Sequence, residues 1–307
     1  MKHNTQFIQD FMKHYDYPSE AVELFTEVLN MLDTDKWFGS KFDELIDDFN
    51  CHRNNLDQKL LNKLTVLGTI RGYKYYTVHF VFLLCLTETL KSRYELIGID
   101  EKIYYDTMAD LRYKLMECIE CKGVPGTFVA SWFNGFFRLE RFAYGRFQFE
   151  VSRFDNNGLP YTMDCGKVIN PGDIYIGFHI PSSGVPLTDD VRLSSYKEAY
   201  KHVKHLFPDG VVIFGCGSWL LYPKHREFLP ETMNILRFMD DFDLVDWDEH
   251  GDFHDCWRIF GKDAKLPANK LPQNTKLKKA YAQWLIDGNK AGSGFGLIAF
   301  NGRKILR

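Results

Sequence analysis

Between Asp173 and Pro223 the chain reads strand, polar loop, helix, strand, and then a Gly-x-Gly-Ser step into another helix. Ile174 to Ile180 (IYIGFHI) is an apolar run bounded by Asn-Pro-Gly before it and Pro-Ser-Ser-Gly after it, the punctuation of a short buried strand. Thr188 reads as an N-cap, and Val191, Tyr196, Ala199, Tyr200, Val203 and Leu206 recur at helical spacing. Pro208-Asp209-Gly210 then turns the chain into a second apolar run, Val211 to Phe214, ending in Gly215-Cys216-Gly217-Ser218. Strands joined through a helix by short connections are expected to be parallel neighbours. In such sheets ligands bind at strand C-termini and helix N-termini, which places the expected site around residues 179–188 and 216–222.

The flanking text gives the organisation. Met1 to about Gly123 is patterned as helices, with stripes such as Phe7, Ile8, Phe11 and Met12, then Val22, Phe25, Val28, Leu29 and Leu32. Thr34 is expected to cap a third helix, and Leu56, Leu60, Leu61, Leu64 and Leu67 mark a fourth. Tyr73 to Leu90 is apolar nearly all round, as in the buried central helix of a bundle. Lys122-Gly123-Val124-Pro125-Gly126 marks a boundary, giving domains 1–124 and 125–307. Beyond it the period shifts towards alternation, with a turn at Tyr144-Gly145. Strands are expected near 174–180, 211–216, 233–239, 254–260 and 295–300, and helices near 188–206, 219–227 and 275–286. The fold class is mixed α/β behind a helical domain.

Composition excludes several functions. A net charge of −3 supplies no electrostatic case for nucleic acid. The longest nearly apolar run, Val78 to Leu86, falls well short of the ~20 residues of a membrane span, and Met1 to Asp16 lacks a signal-peptide core. Seven scattered cysteines in a chain of 307 residues read as reduced thiols, so a cytoplasmic protein is expected.

His179-Ile180-Pro181, Gly184 to Thr188 (GVPLT), Ser218-Trp219-Leu220-Leu221-x-Pro223, Leu229-Pro230 and Asn234-Ile235 resemble a bacterial family of two-part proteins. Its members have a helical N-acyltransferase N-terminal domain and a GNAT-like (acetyltransferase-like) C-terminal domain. Arg138 to Arg141 and Phe147 to Glu150 also suit it. The resemblance implies acyl transfer from acyl-CoA to a small-molecule amine, by direct attack in a ternary complex. Ser182, Ser183 and Gly184 would then hold the cofactor phosphates ahead of a helix N-terminus. The chain departs from the pattern in lacking the usual Gln/Arg-x-x-Gly-x-Gly/Ala loop, and Asp189 and Asp190 stand in the first helical turn.

Each remaining candidate carries a plain alternative. His179, at a strand end, is a proton relay or a buried histidine bonded to backbone. Tyr222 is a general acid for the departing thiolate or a packing residue, and Ser218 beside it is a catalytic candidate, the nucleophile of a hydrolase as Cys216 would be, or a helix cap. Cys216 between two glycines is a hydrolytic nucleophile or a small residue at a tight turn. Cys118-x-x-Cys121 and the group His250, Asp252, His254, Asp255 and Cys256 only loosely resemble metal spacing, and no metal is expected. The acidic tract Asp240 to Asp255 is an amine-attracting mouth or the solvated face of an edge strand. Gly288 to Gly296 is a phosphate loop or a hairpin connection. The rival reading is a non-catalytic ligand-binding or regulatory module on a degenerate acyltransferase fold; oligomeric state is open.

Overall fold

A computed structural model describes residues 3–52, 54–250 and 255–307. The chain divides into two compact units after Phe142.

The first unit is built from α1 (Thr5–His14), α2 (Ser19–Thr34), α3 (Lys36–Cys51), α4 (Gln58–Ile70), α5 (Tyr75–Leu96) and α6 (Glu101–Lys122). Their starts follow capping chemistry. Asn4 accepts from the Phe7 N–H, Asp57 from Leu60 and Asp100 from Lys102. Asp35, not Thr34, caps α3 by accepting from Trp37 and Phe38. Thr34 is the last residue of α2, its hydroxyl bonded back to the Asn30 carbonyl. Gly123 closes α6 in the left-handed conformation at φ +65°.

As the all-round apolar pattern predicts, α5 is the central helix and buries Val78 through Leu86 without interruption. Phe80 stacks on Phe25 at 5.0 Å, and Phe82 meets Phe42 at 5.5 Å and Phe49 at 6.0 Å. After α6 a 3₁₀ turn (Ala130–Phe133) and the single turn α7 (Asn134–Phe137) return Phe133, Phe136 and Phe137 to this core.

The second unit holds β1 (Arg141–Tyr144, running across the division), β2 (Phe147–Arg153), β3 (Tyr161–Thr162), β4 (Val168–Ile169), β5 (Ile174–His179), α8 (Asp189–Val203) and β6 (Val212–Ser218). There follow α9 (His225–Phe228), α10 (Asn234–Met239), β7 (Asp243–His250), α11 (Cys256–Phe260), α12 (Lys276–Ile286), β8 (Ala291–Phe300) and β9 (Ile305–Leu306). The main sheet runs β1-β2-β5-β6-β8-β7, with β9 beside β8. The expected parallel pair is present: β5 and β6 run parallel, whereas β2–β5, β6–β8 and β7–β8 are antiparallel. Tyr196 of α8 lies among Phe147, Phe178, Phe214 and Phe300, filling one face of the sheet.

Four expectations are corrected. Residues 233–239, expected as a strand, form α10. Ile235, Leu236, Phe238 and Met239 are buried at helical spacing, and a short apolar run carries both periods. Of the strand expected at 254–260, residues 256–260 form α11, while His254 lies outside the described residues. The helix expected at 219–227 is a 3₁₀ turn (Trp219–Leu221) followed by α9, interrupted at Pro223. The glycine-rich segment is strand as well: β8 begins at Ala291, inside the expected loop. Among the described residues no helix is long and apolar enough to cross a membrane.

Candidate active site

The parallel ladder between β5 and β6 has two rungs, Ile176 with Phe214 and Gly177 with Gly215. Past them β5 continues to His179, paired outward to β2, and β6 continues to Ser218, paired outward to β8. The C-terminal ends of two adjacent parallel strands are therefore unjoined to each other, and a chain of polar groups borders the gap. Tyr175, Gly177 and His179 face one side of the sheet, because side chains alternate along a strand; the other side carries Phe178 against Tyr196. The Tyr175 ring lies over Gly215, where an added Cβ would stand 2.6 Å from it.

His179 is about one-third exposed, and its Nε2 lies 2.8 Å from Oε1 of Glu150 on β2. The loop following β5 is tied to the β1–β2 turn by Arg146. Its Nη1 donates to the Pro181 carbonyl at 2.7 Å and its Nε to the Val185 carbonyl at 2.9 Å. The Arg146 N–H in turn donates to Ser195 Oγ of α8 at 2.7 Å. Within the loop, Ser183 Oγ accepts from the Val185 N–H, and Gly184 adopts φ +76° with open space where a side chain would be. Ser182 and Gly184 are exposed.

Thr188 stands at the N-cap of α8, but its hydroxyl makes no capping bond to the helix backbone; a hydrogen bond from it instead lowers the pKa of Asp190. The acidic helix start is compensated in part. Asp189 pairs with Arg192 at 3.1 Å, and Arg192 also donates to Asp241 through Nε at 2.7 Å and Nη2 at 3.1 Å.

On the other strand, Ser218 Oγ accepts from the Leu220 N–H at 3.1 Å and caps the 3₁₀ turn. Cys216 is buried, which pushes its thiol up to about 12 and leaves it without thiolate character. Tyr222 is fully buried against β7 and the start of β8, with Glu249 Oε1 at 2.9 Å and the Lys290 carbonyl at 3.3 Å from its hydroxyl. Burial, then the Glu249 carboxylate, pushes the hydroxyl well above its ordinary range.

A cavity of about 320 Å³ opens at the end of β6, with Gly217, Ser218, Trp219, Asp246, Trp247 and Phe295 in its walls. Asp246 and Asp248 belong to β7, an edge of the sheet order, as the alternating acidic text suggests. Among the described residues, no three or more His, Cys, Asp or Glu side chains cluster to hold a metal ion. Asp252 and His254 lie outside the described residues.

The structure thus brings His179 and the Ser182–Gly184 loop together at the end of β5, places Ser218 at the end of β6, and buries Tyr222 with its hydroxyl on Glu249 and its ring 6.0 Å from that of Trp247, a wall of the cavity. Glu150 and Arg146 were missed by sequence reasoning. Glu150 carries no signal beyond a polar residue among alternating phenylalanines, and Arg146 only its position after a turn.

Along the chain a helical unit is followed by a mixed sheet with one parallel pair. The chain belongs to the family of two-domain proteins defined by a GNAT-like C-terminal domain, matched over residues 141–298, and an N-acyltransferase N-terminal domain, matched over residues 6–139. No curated protein matches it in sequence. Among solved structures, an acyltransferase in complex with decanoyl-CoA and teicoplanin superposes at TM-score 0.75 and 19% identity, covering 96% of this chain and 88% of that one. One in complex with CoA and 10C-teicoplanin gives TM-score 0.64 and 16% identity over 95% of this chain and 99% of that one. One in complex with decanoyl-CoA gives 0.59 and 23% over 71% of this chain and 64% of that one, less than two thirds of its length. These likenesses are of fold.

Proposed function

We propose that this protein transfers an acyl group from an acyl-CoA thioester to an amine by direct attack in a ternary complex. The observation that carries the reading is the end of the β5–β6 ladder at Gly177 and Gly215, with His179 and an open loop at the unjoined ends. Backbone donors freed from a ladder suit the thioester carbonyl as charge develops on its oxygen. The loop of Ser182, Ser183 and Gly184 suits the cofactor phosphates: it precedes a helix of 15 residues, Gly184 leaves its backbone open, and Arg146 fixes both ends. That clamp serves in place of the missing glycine motif. The acyl-CoA complexes of the structural neighbours support the same co-substrate here.

In the reaction the amine nitrogen bonds to the thioester carbon, His179 takes the amine proton, and the carbon–sulfur bond breaks to release CoA thiolate, which is then protonated. Tyr222, expected as that acid, has its hydroxyl engaged by Glu249, so it serves this step only if that contact breaks. The acceptor is proposed to be a small molecule whose amine is drawn by Asp246 and Asp248 and bounded by Trp219, Trp247 and Phe295. Partial pairing of Asp189 with Arg192 removes part of the case for a non-catalytic module, which rested on the acidic helix start together with the missing phosphate-loop signature. The high thiol pKa and burial of Cys216 weaken the hydrolase reading.

The test is amine-dependent release of thiol from decanoyl-CoA across a panel of primary amines. Release that requires both amine and His179 supports the reading. Amine-independent release with an acylated Cys216 or Ser218 in the mass spectrum contradicts it.

A further inference from the structure

Glu150 and His179 meet along a diagonal. In the β2–β5 ladder Glu150 stands opposite Gly177, and His179 opposite Gln148. Diagonal neighbours on one face lie ~7–8 Å apart, within reach of long side chains. Gly177 presents no side chain on the rung between, so the Glu150 carboxylate leans across it to Nε2 at 2.8 Å. Both side chains are only partly exposed, at 24% and 34%, unlike a freely solvated pair.

We propose that Glu150 is a positioning residue that holds His179 in the tautomer carrying its proton on Nε2, making Nδ1 the nitrogen that receives the amine proton. An ionised carboxylate only accepts hydrogen bonds, so the nitrogen facing it must be the donor. A neutral imidazole has one N–H, which leaves the lone pair on Nδ1. Once Nδ1 is protonated, the Glu150 charge offsets the imidazolium, and the amine proton stays within the site. This inference rests on reading His179 as the proton acceptor.

The experiment is ring-nitrogen NMR of the uniformly ¹⁵N-labelled full chain at about pH 8, where an ordinary histidine is neutral, with the His179 signals identified by their loss in His179→Gln. The expected wild-type signature is a protonated Nε2 and an unprotonated Nδ1. In Glu150→Ala the single-tautomer signature is lost to a mixture and the Nε2 proton exchanges faster with water; Glu150→Asp restores part of it. A proton on Nδ1 in the wild type, or His179 shifts unchanged by Glu150→Ala, overturns the proposal. Unchanged amine-dependent turnover in His179→Ala would instead remove His179 from the chemistry while leaving the tautomer result standing, so the two failures are distinguishable.

Discussion

Gly177 of β5 and Gly215 of β6 form the last rung of the parallel ladder; the Tyr175 ring lies against Gly215, and Ser152 Oγ lies 2.8 Å from where a Cβ of Gly177 would stand. The bare backbone of Gly215 leaves room for the Tyr175 ring where the strand ends separate. Gly215→Ala should therefore destabilise the fold by about 1–3 kcal/mol, since its Cβ would stand 2.6 Å from the ring. Urea unfolding checks this, and Tyr175→Ala in the same chain should recover part of the loss.

His179 is expected to act in turnover and not in folding. His179→Ala should lower kcat by ~10²–10⁴-fold, the usual range for a positioned proton acceptor. Its thermal midpoint should stay near wild type, because the side chain is one-third exposed. Steady-state kinetics with decanoyl-CoA and an amine, beside a melting curve, separate the two effects.

Tyr222→Phe reads the opposite way. Its hydroxyl lies against Glu249 and the Lys290 carbonyl in a buried setting, so its loss should cost roughly 1–2 kcal/mol of stability while kcat changes only a few-fold. A drop in kcat as large as that of His179→Ala, with stability retained, would restore Tyr222 as the acid.

Arg192 and Asp241 are a buried bidentate pair, at 4% and 12% side-chain exposure, which Tyr196 joins through its hydroxyl at 3.2 Å. Removing Asp241 leaves the buried Arg192 with the exposed Asp189 as its remaining ion-pair partner, beside the Leu187 and Arg237 carbonyls. Asp241→Ala should cost about 2–3 kcal/mol in urea unfolding, the loss of a charged hydrogen-bonded pair, whereas replacing both partners with apolar residues should cost less.

His225 sets an acid limit. It is fully buried beside Tyr281, and burial lowers its pKa from 6.5 to about 4. Because the folded state disfavours the charged ring, this contribution is fully present above pH ~6.5 and is lost as pH falls towards ~4. The shift corresponds to about 3 kcal/mol. Unfolding free energies between these pH values should show that loss in wild type and a flatter profile in His225→Gln.

The sequence made some elements plain and hid others for physical reasons. The parallel pair and α8 were legible because Pro, Gly and Asp punctuate both ends of strongly patterned runs. The nearly all-apolar first half of α5 announced its own burial. In contrast, α10 and α11 are five or six residues long, too short to display a period, and their apolar residues imitate a strand. The glycines of β8 read as a loop because their cause is tertiary: a Cβ at Gly292 would meet the Tyr222 ring at 2.5 Å, and one at Gly296 the Phe242 side chain at 2.9 Å. The turn after α6 was visible at Gly123, but nothing local shows that Phe133, Phe136 and Phe137 return to the helical core. At the site, His179 and the loop after it stood out by position. Glu150 did not, since its role depends on the β2–β5 register, which no residue in β2 encodes by itself.

Calorimetric titration of the purified protein with decanoyl-CoA and CoA, with an unrelated nucleotide as control, tests the central claim most directly. The account predicts micromolar, CoA-selective binding that weakens about tenfold in Arg146→Ala, as the loop after β5 loses its clamp. No binding of either thioester or CoA at millimolar concentration would contradict it.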